Sequence, residues 1–198
     1  MAIEETVEYK GKSLLILGAG GHGKVVAEIA TDLGFVKIDF LDDNSPEAIG
    51  SVQDLPELGR DYDYIFCGIG NNQLRKQLLE QIHNLPYKNK IPTLIHPTAY
   101  VSRTAQIQPG TVVEPKAIVN AGSRIEEGCI ISVGAIVDHD THIGTCAHVN
   151  AGAIVKAGGS VADFEKLEAG SVVLGYEAAR VGKKRYLHEN ADCKSMYK

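Results

Sequence analysis

The sequence lacks a long apolar segment, a surplus of basic residues and closely spaced cysteines. None of its 198 residues belongs to a run of 18 apolar residues, so no transmembrane helix is expected, and the polar, acidic start predicts no secretory signal. The formal net charge of -5 disfavours nucleic acid as a partner. The cysteines have no CxxC spacing, which indicates reduced thiols rather than disulfides or a zinc site. They are Cys67, Cys129, Cys146 and Cys193. We therefore expect a cytoplasmic protein with no membrane or nucleic-acid partner and no metal.

A six-residue repeat of branched aliphatic residues occupies the second half of the chain. Helices and flat sheets do not use this period, whereas a β-solenoid does, because each unit is a short strand plus a corner that sends one side chain inward. The repeated positions are Val101, Ile107, Val113, Val119, Ile125, Ile131, Val137, Ile143, Val149, Val155, Val161, Leu167 and Val173.

Two further positional rules accompany the repeat. The residue two before each aliphatic is small from Ala99 to Gly159, as the crowded corners of a three-sided prism require. Glycine recurs three residues after the aliphatic, where turns need unusual backbone angles. These patterns predict a left-handed parallel β-helix with 18 residues per coil, three to four coils over residues 97–162, an exit loop at 163–170 and a last strand at 171–175. Its flat faces favour a homotrimer.

The first half has the pattern of a Rossmann-like α/β unit. A buried strand at 13–17 is followed by GAGGHG at 18–23 and by a helical segment, KVVAEIATDLGF, that ends near Gly34. Gly18, Gly20 and Gly23 fit GxGxxG in the strand–turn–helix context that the motif needs, where backbone N–H groups can approach a phosphate. Alternatively, the glycine loop is only a tight turn.

Polar residues follow the next two predicted strands, 37–41 and 63–70. Asp42 and Asp43 end one strand, and Asn71 and Asn72 follow the other and begin a helix. Open α/β sheets bind ligands at these strand ends. The unit has about 80 residues, with a fourth strand expected near 91–95, so a mononucleotide-linked ligand fits better than NAD.

The sequence thus predicts an α/β plus all-β chain. We expect an N-terminal extension at 1–12, a nucleotide-sugar-binding domain at 13–94, a β-helix acyltransferase domain at 95–181 and a C-terminal tail at 182–198.

The hexads resemble those of the bacterial hexapeptide-repeat acyltransferases. Together with GAGGHGKVVAE, FLDD, GIGNNQLR, IHPTA and VDHD, they make residues 13–181 similar to the sugar-nucleotide acetyltransferase family. This family contains bacillosamine and perosamine N-acetyltransferases and sialic acid O-acetyltransferases. The resemblance implies acetyl-CoA as co-substrate and a nucleotide sugar, expected to be UDP-linked, as acceptor.

The resemblance also implies site residues. His139 matches the general base, Asp140 the acidic residue that orients it, and His148 a histidine beside the acetyl end of coenzyme A. The segment at 173–181 is similar to the loop that closes over coenzyme A: Gly175, Ala178 and Arg180 match it, whereas Tyr176 and Glu177 replace the usual Asn-Pro. The nucleotide-sugar region comprises Gly18, Gly20, Gly21, His22, Gly23, Asp42, Asp43, Gly70 and Asn71.

The chemistry is consistent with these roles. Histidine titrates near neutrality and can take a proton from a sugar amine or hydroxyl, and Asp140 or Asp138 can fix its tautomer. Backbone N–H groups around Ala157 and Gly158 are candidate oxyanion donors. No serine or cysteine is placed to form an acyl-enzyme, which favours direct transfer. His142 is expected to be solvated.

Several functions remain open on the sequence. The leading hypothesis is N-acetylation of a nucleotide-linked 4-amino-4,6-dideoxy sugar for surface glycan synthesis. The nearest alternative is O-acetylation of sialic acid or another glycan sugar, because one imidazole serves both acceptors. A zinc hydratase on the same scaffold and a non-catalytic nucleotide-sugar sensor are the other classes considered.

Overall fold

The structure, a computed structural model, describes residues 9–176. It begins with a three-stranded parallel sheet of strand order β2–β1–β3 flanked by helices, which is the expected Rossmann-like arrangement. The elements are β1 (Ser13–Leu17), α1 (Gly21–Asp32), β2 (Lys37–Leu41), α2 (Leu55–Leu58), β3 (Tyr64–Cys67) and α3 (Asn72–His83). The helices α1 and α3 have 12 residues each, and no helix in the described part of the chain could span a membrane.

The helix α1 begins inside the glycine loop rather than after it. Gly20 is its extended N-cap, so Gly21, His22 and Gly23 form the first turn, and the helix ends just before Gly34. Glycine is a poor helix former, which hid this turn from the sequence pattern.

The prediction that a strand near 91–95 belongs to the α/β unit is wrong. Strand β4 (Leu94–Ile95) pairs with β7 (Val112–Val113) and so belongs to the β-helix. Ile95 lies six residues before Val101, so the register of the repeat already contained this strand.

Residues 94–173 form a left-handed parallel β-helix, as predicted. Two-residue strands build three faces, and each strand pairs with the one 18 residues later. The first face contains β4, β7, β10 (Ile130–Ile131) and β13 (His148–Val149). The second contains β5 (Tyr100–Val101), β8 (Ile118–Val119), β11 (Ile136–Val137), β14 (Ile154–Val155) and β16 (Val172–Val173). The third contains β6 (Gln106–Ile107), β9 (Arg124–Ile125), β12 (His142–Ile143) and β15 (Ser160–Val161).

The aliphatic residues of the repeat fill the interior of this prism. From Val113 to Val173 they are buried in one continuous cluster, with Val101 and Ile107 packed against it at the open end. Three residues after them the backbone has positive φ, mostly at glycine but also at Lys116, Asp140 and Cys146. The corners therefore impose this conformation even where a side chain makes it costly.

The prediction of an exit loop at 163–170 is also wrong. Leu167 is buried in the core, its N–H donates to the carbonyl of His148, and Phe164 and Gly170 have the positive φ of the other corners. The helix therefore continues through this segment to β16, within the expected last strand. The large residues Phe164 and Glu165 concealed a coil whose backbone is regular.

The α/β unit packs against the first face of the prism. Helix α1 buries Val26 and Ile29 against the outward side chains Leu94, Val112 and Ile130. The outward residue changes to His148 in the next coil. The first turn of α1 lies close to this face, since His22 Nδ1 is 3.7 Å from the carboxylate of Glu114, which follows β7.

Candidate active site

The glycine loop has the geometry of a close backbone turn. Gly18 has φ +101, and a Cβ on Gly23 would lie 2.0 Å from the carbonyl oxygen of Gly18. Gly20 and Gly21 face open space, and no side chain caps the first N–H groups of α1. The loop therefore presents backbone donors at a helix N-terminus, which is a favourable arrangement for a phosphate.

Asp42 organises this loop. Its carboxylate accepts hydrogen bonds from the backbone N–H groups of Ala19 at 2.9 Å, Asn44 at 2.8 Å and Ser45 at 3.0 Å. These bonds, that of Ala19 first, lower the pKa of Asp42. Asp43 accepts from the N–H of Val52 at 3.0 Å. Both carboxylates thus hold the backbone of the loops that follow β1 and β2 in place.

A cavity of about 470 Å³ opens beside the loop. It combines an apolar wall with amide and carboxylate groups, a composition suited to a flat heterocycle and its ribose. The lining residues are Gly18, Asp42, Asp43, Asn44, Val52, Gln53, Ile69, Leu74, Leu78 and Gln81.

A second cavity of about 440 Å³ lies at the start of α3, between Gly70–Gln73 and Lys166. Asn71 caps α3 by accepting the N–H of Leu74 at 3.0 Å. The side chain of Asn72 donates to the carbonyl of Phe164, so this end of α3 is attached to the β-helix. Gly70 and Asn71 thus lie at a strand end, as predicted, and Asn71 is already committed to the helix cap.

Arg75 is a functional candidate that the sequence did not reveal. Its side chain is 1% exposed and donates to the carbonyls of Gly128, Ile69 and Cys146 and to the side chain of Asn72. Among the described residues it has no carboxylate partner. A buried guanidinium without a carboxylate partner therefore ties the segment that follows β3, at Ile69, to the coils of the β-helix.

His139 lies at the corner between the second and third faces, and its side chain is 47% exposed. Its Nδ1 is 2.9 Å from Oδ2 of Asp140. The hydrogen bond to Asp140, followed by the charges of Asp138 and Asp140, raises the pKa of His139. With Nδ1 held as the donor, Nε2 is the nitrogen left to accept a proton.

Asp138 has a different role from Asp140. Its Oδ1 accepts the backbone N–H of His139 at 2.7 Å and the side-chain amide of Asn120 at 3.2 Å. The bond from His139 is the main cause of its lowered pKa. The sequence left open which aspartate orients the imidazole, and the geometry assigns that contact to Asp140. Asn120 could have been found from its spacing of 18 residues from Asp138.

The expectation that the Ala157 and Gly158 amides form an oxyanion hole is wrong for this conformation. The N–H of Gly158 donates to the carbonyl of His139 at 3.0 Å, and the N–H of Ala157 donates to Asp138. The stacking of the corners uses both donors. Gly175 packs directly on this turn, since a Cβ there would lie 1.8 Å from the carbonyl oxygen of Ala157.

His148 is buried on the first face, at the boundary with the glycine loop. Its Nε2 is 2.9 Å from Oγ of Ser132, and its Nδ1 is buried with no partner. Burial, with a smaller effect of Lys166, lowers its pKa to about 4. Nearby, His22 Nδ1 is 3.7 Å from the buried carboxylate of Glu114, while its Nε2 is also buried and unpartnered. Burial and then Arg75 lower the pKa of His22 to about 4.

A single copy of the chain does not bring the predicted residues into one site. His148 and the glycine loop lie at the first face, whereas His139 and Asp140 lie at the corner between the other two faces. His142 is exposed and pairs with Glu126, as expected of a solvated residue. Ala178 and Arg180 lie outside the described residues.

No group of three His, Cys, Asp or Glu residues within 9–176 is arranged to hold a metal ion. The three cysteines of this range, Cys67, Cys129 and Cys146, are unpaired and buried, and burial raises the pKa of each thiol.

Comparison with known proteins gives matches to both halves of the chain. The profile of the PglD N-terminal domain matches residues 13–82. A UDP-N-acetylbacillosamine N-acetyltransferase of Bacillus subtilis (strain 168) is 36% identical over 112 residues, which cover 51% of this chain and 50% of the relative. The matched segment thus spans about half the length of that curated relative.

Solved structures extend the likeness across most of the described fold. The acetyltransferase domain of PglB from Neisseria gonorrhoeae FA1090, in complex with acetyl coenzyme A, is 37% identical with a TM-score of 0.78 and covers 83% of each chain. PerB from Caulobacter crescentus, in complex with CoA and GDP-perosamine, is 29% identical with a TM-score of 0.68, covering 82% of this chain and 89% of that one.

Proposed function

The chain belongs to the sugar acetyltransferase family that contains these relatives, and we propose that it transfers the acetyl group of acetyl-CoA to the 4-amino group of a nucleotide-linked 4-amino-4,6-dideoxy sugar. The observation that carries the proposal is the exposed His139–Asp140 pair, with Nδ1 held and Nε2 free. The relative named as a UDP-N-acetylbacillosamine N-acetyltransferase and the PerB complex with CoA and GDP-perosamine, an amino sugar nucleotide, favour an amine acceptor.

In the proposed reaction His139 acts as general base. The amine nitrogen attacks the thioester carbonyl while Nε2 takes an amine proton, which gives a tetrahedral intermediate. The C–S bond then breaks, the imidazolium returns the proton to the leaving thiolate, and the products are the N-acetylated sugar nucleotide and coenzyme A. Asp140 stabilises the imidazolium between these steps.

Direct transfer is the simpler route for this chain. An acyl-enzyme would need an accessible, ionised thiol or an activated hydroxyl. Cys67, Cys129 and Cys146 are buried with raised pKa values, so none of them suits that role. Buried, unpaired thiols also agree with the proposed cytoplasmic location.

We place the nucleoside in the 470 Å³ cavity and its diphosphate at the glycine loop. Gly20 and Gly21 provide open backbone donors, and Lys166 lines the adjoining cavity. The sugar would then extend past His22 towards His148. We propose UDP as the nucleotide, which a binding comparison of UDP and GDP tests directly.

The proposed assembly is a homotrimer formed through the second face. Its outward side chains are apolar: Tyr100 is exposed, and the others, Ile118, Ile136, Ile154 and Val172, are only partly buried. The outward residues of the third face are polar, and helix α1 covers the first. Packing second faces around a threefold axis buries the apolar column. We propose that His139 of one copy then meets the His148 and glycine-loop side of a neighbouring copy.

The decisive experiment is a panel of UDP-, GDP- and CMP-linked sugars, with amine and hydroxyl acceptors, assayed with acetyl-CoA by mass spectrometry. We expect a mass gain of one acetyl group on a 4-amino sugar. Activity restricted to CMP-sialic acid or free sialic acid would replace the N-acetyl proposal by the O-acetyl alternative. Absence of transfer to every acceptor would remove the enzymatic proposal.

A further inference from the structure

Tyr176 occupies a repeated position of the corner that carries His139. Residues at this position are 18 apart and include Asp140, Gly158 and Tyr176. They share one backbone ladder: the N–H of each donates to the carbonyl of the residue 19 positions earlier, as from Tyr176 to Ala157 at 3.0 Å. Tyr176 therefore lies two coils from Asp140, with only a glycine between them.

The missing side chain at Gly158 gives the tyrosine its place. A Cβ on Gly158 would lie 2.2 to 2.4 Å from three atoms of the Tyr176 ring, so the ring rests directly on the glycine backbone. Gly175, the residue before Tyr176, packs just as closely on the backbone of Ala157. Both glycines allow the tyrosine to reach back across one coil.

The hydroxyl of Tyr176 meets the carboxylate that orients the imidazole. It donates to Oδ2 of Asp140 at 3.3 Å, and this is the same oxygen that binds Nδ1 of His139 at 2.9 Å. On the other side, Oδ1 of Asp140 lies against Gly122, where a Cβ would be 2.5 Å away. The ring centroids of Tyr176 and His139 are 6.3 Å apart.

We propose that Tyr176 is a positioning residue for the acetyl transfer: its hydroxyl fixes the rotation of the Asp140 carboxylate and thereby the direction of His139. The inference rests on the proposed role of His139 as general base. Asp140 is exposed and connected to the imidazole by one bond, so a second donor reduces the orientations it samples. A base held in one direction loses less rate to misalignment.

The first test removes only the hydroxyl. In Tyr176→Phe the ring can still rest on Gly158, and we expect kcat to fall about 3- to 10-fold, the effect of losing one ordinary hydrogen bond, because this bond is long and exposed to solvent. KM for both substrates should change less than about twofold, because the ground-state contacts are retained. Tyr64→Phe, the same chemical change in the α/β unit, is the matched control and should leave kcat unchanged.

A double-mutant cycle tests whether Tyr176 acts through Asp140. If it does, Tyr176→Phe should have little further effect on kcat in the Asp140→Asn background. Equal losses in both backgrounds would contradict the proposal, as would an unchanged kcat in Tyr176→Phe alone.

The glycine provides a second, independent variant. Gly158→Ala should displace the ring and reproduce the kcat loss of Tyr176→Phe or exceed it. Gly170→Ala has the same backbone strain, with φ +69, but meets no atom within 4 Å, so it controls for strain alone. Equal effects of the two alanines would contradict the proposed role of the ring.

A spectroscopic readout separates this inference from the proposed function. The ¹⁵N shifts of the His139 ring, measured without substrate, should change in Tyr176→Phe and not in Tyr64→Phe. If the wild type acetylates nothing in the panel but the shifts change, only the function fails. If the wild type is active but neither the shifts nor kcat respond, the role of Tyr176 is wrong.

Discussion

Oδ2 of Asp140 binds Nδ1 of His139 at 2.9 Å although the two residues are neighbours in the chain. In a regular strand their side chains would point to opposite sides. The positive φ of +56 at Asp140 turns the carboxylate back towards the imidazole, and the glycine at 122 leaves room for it. The corner of the β-helix thus creates the base–carboxylate pair.

Replacement of His139 by alanine should abolish most of the activity. Without the imidazole, the bases left at this corner are the carboxylates of Asp138 and Asp140, which are much weaker proton acceptors than histidine. We therefore expect kcat to fall about 10²- to 10⁴-fold. The measurement is a coenzyme A release assay, with gel filtration to check that the assembly is unchanged. Undiminished turnover would exclude His139 from the mechanism. His142→Ala, at an exposed and solvated histidine of the same coil, is the control.

The pH dependence of kcat/KM should depend on Asp140. The base must be neutral, so the rate falls as pH drops through the pKa of His139, which the bond to Asp140 raises. Asp140→Asn removes this charge and should move the acid limb to lower pH, while the charge of Asp138 keeps part of the shift. The rate at the optimum should fall at least about tenfold, because the tautomer is no longer fixed. An unmoved acid limb would contradict the assignment.

Stability should decrease as pH falls from about 6.5, the ordinary pKa of histidine, towards 4. His22 and His148 have folded-state pKa values of about 4, so in this range the unfolded chain binds protons that the folded chain does not. Glu114 acts in the opposite direction, since burial raises its pKa. Urea unfolding at pH 7 and pH 5 should show a smaller difference for His148→Gln than for the wild type. His142→Gln should keep the wild-type difference in free energy of unfolding between the two pH values. The prediction would be contradicted if this difference were reduced equally in His148→Gln and His142→Gln.

The repeat could be predicted from the sequence because its physical requirements are local. Each hexad needs one aliphatic residue inside and a small one at the corner, and both demands recur along the chain. The register also contains β4 and Leu167, although the sequence around Leu167 departs from the small-residue rule. Phe164 is an example: its backbone follows the corner, while its side chain packs against the α/β unit.

Contacts between distant segments could not be predicted in this way. Nothing near Arg75 in the sequence indicates that its guanidinium reaches Gly128 and Cys146. The engagement of the Gly158 amide depends on how consecutive coils stack. The separation of His148 from His139 depends on which face of the prism each residue occupies.

Arg75 should contribute strongly to the attachment of the α/β unit to the β-helix. Arg75→Met leaves the buried carbonyls of Gly128 and Cys146 and the partly buried carbonyl of Ile69 without this donor, so we expect the free energy of unfolding to fall by about 2–4 kcal/mol. Arg75→Lys should recover only part of the lost free energy of unfolding, because one ammonium group cannot reach all the separated acceptors. Lys76, the next residue, makes partly exposed pairs with Glu80 and Glu127, and Lys76→Met should cost less than about 1 kcal/mol. Similar losses for Met at 75 and 76 in urea unfolding would contradict this role.

The proposed trimer makes a prediction that separates assembly from folding. Ile136 lies outward in the middle of the second face, so Ile136→Glu would place a carboxylate in the proposed interface while leaving the interior of the prism unchanged. We expect dissociation to monomers in analytical ultracentrifugation, since an unpaired buried charge opposes association. Activity should fall with it, because His139 would lose the neighbouring His148. Gln106→Glu adds the same charge on the polar third face and should leave assembly and turnover intact. A wild-type monomer with full turnover, or an Ile136→Glu variant that still forms trimers, would show that the second face is not the interface.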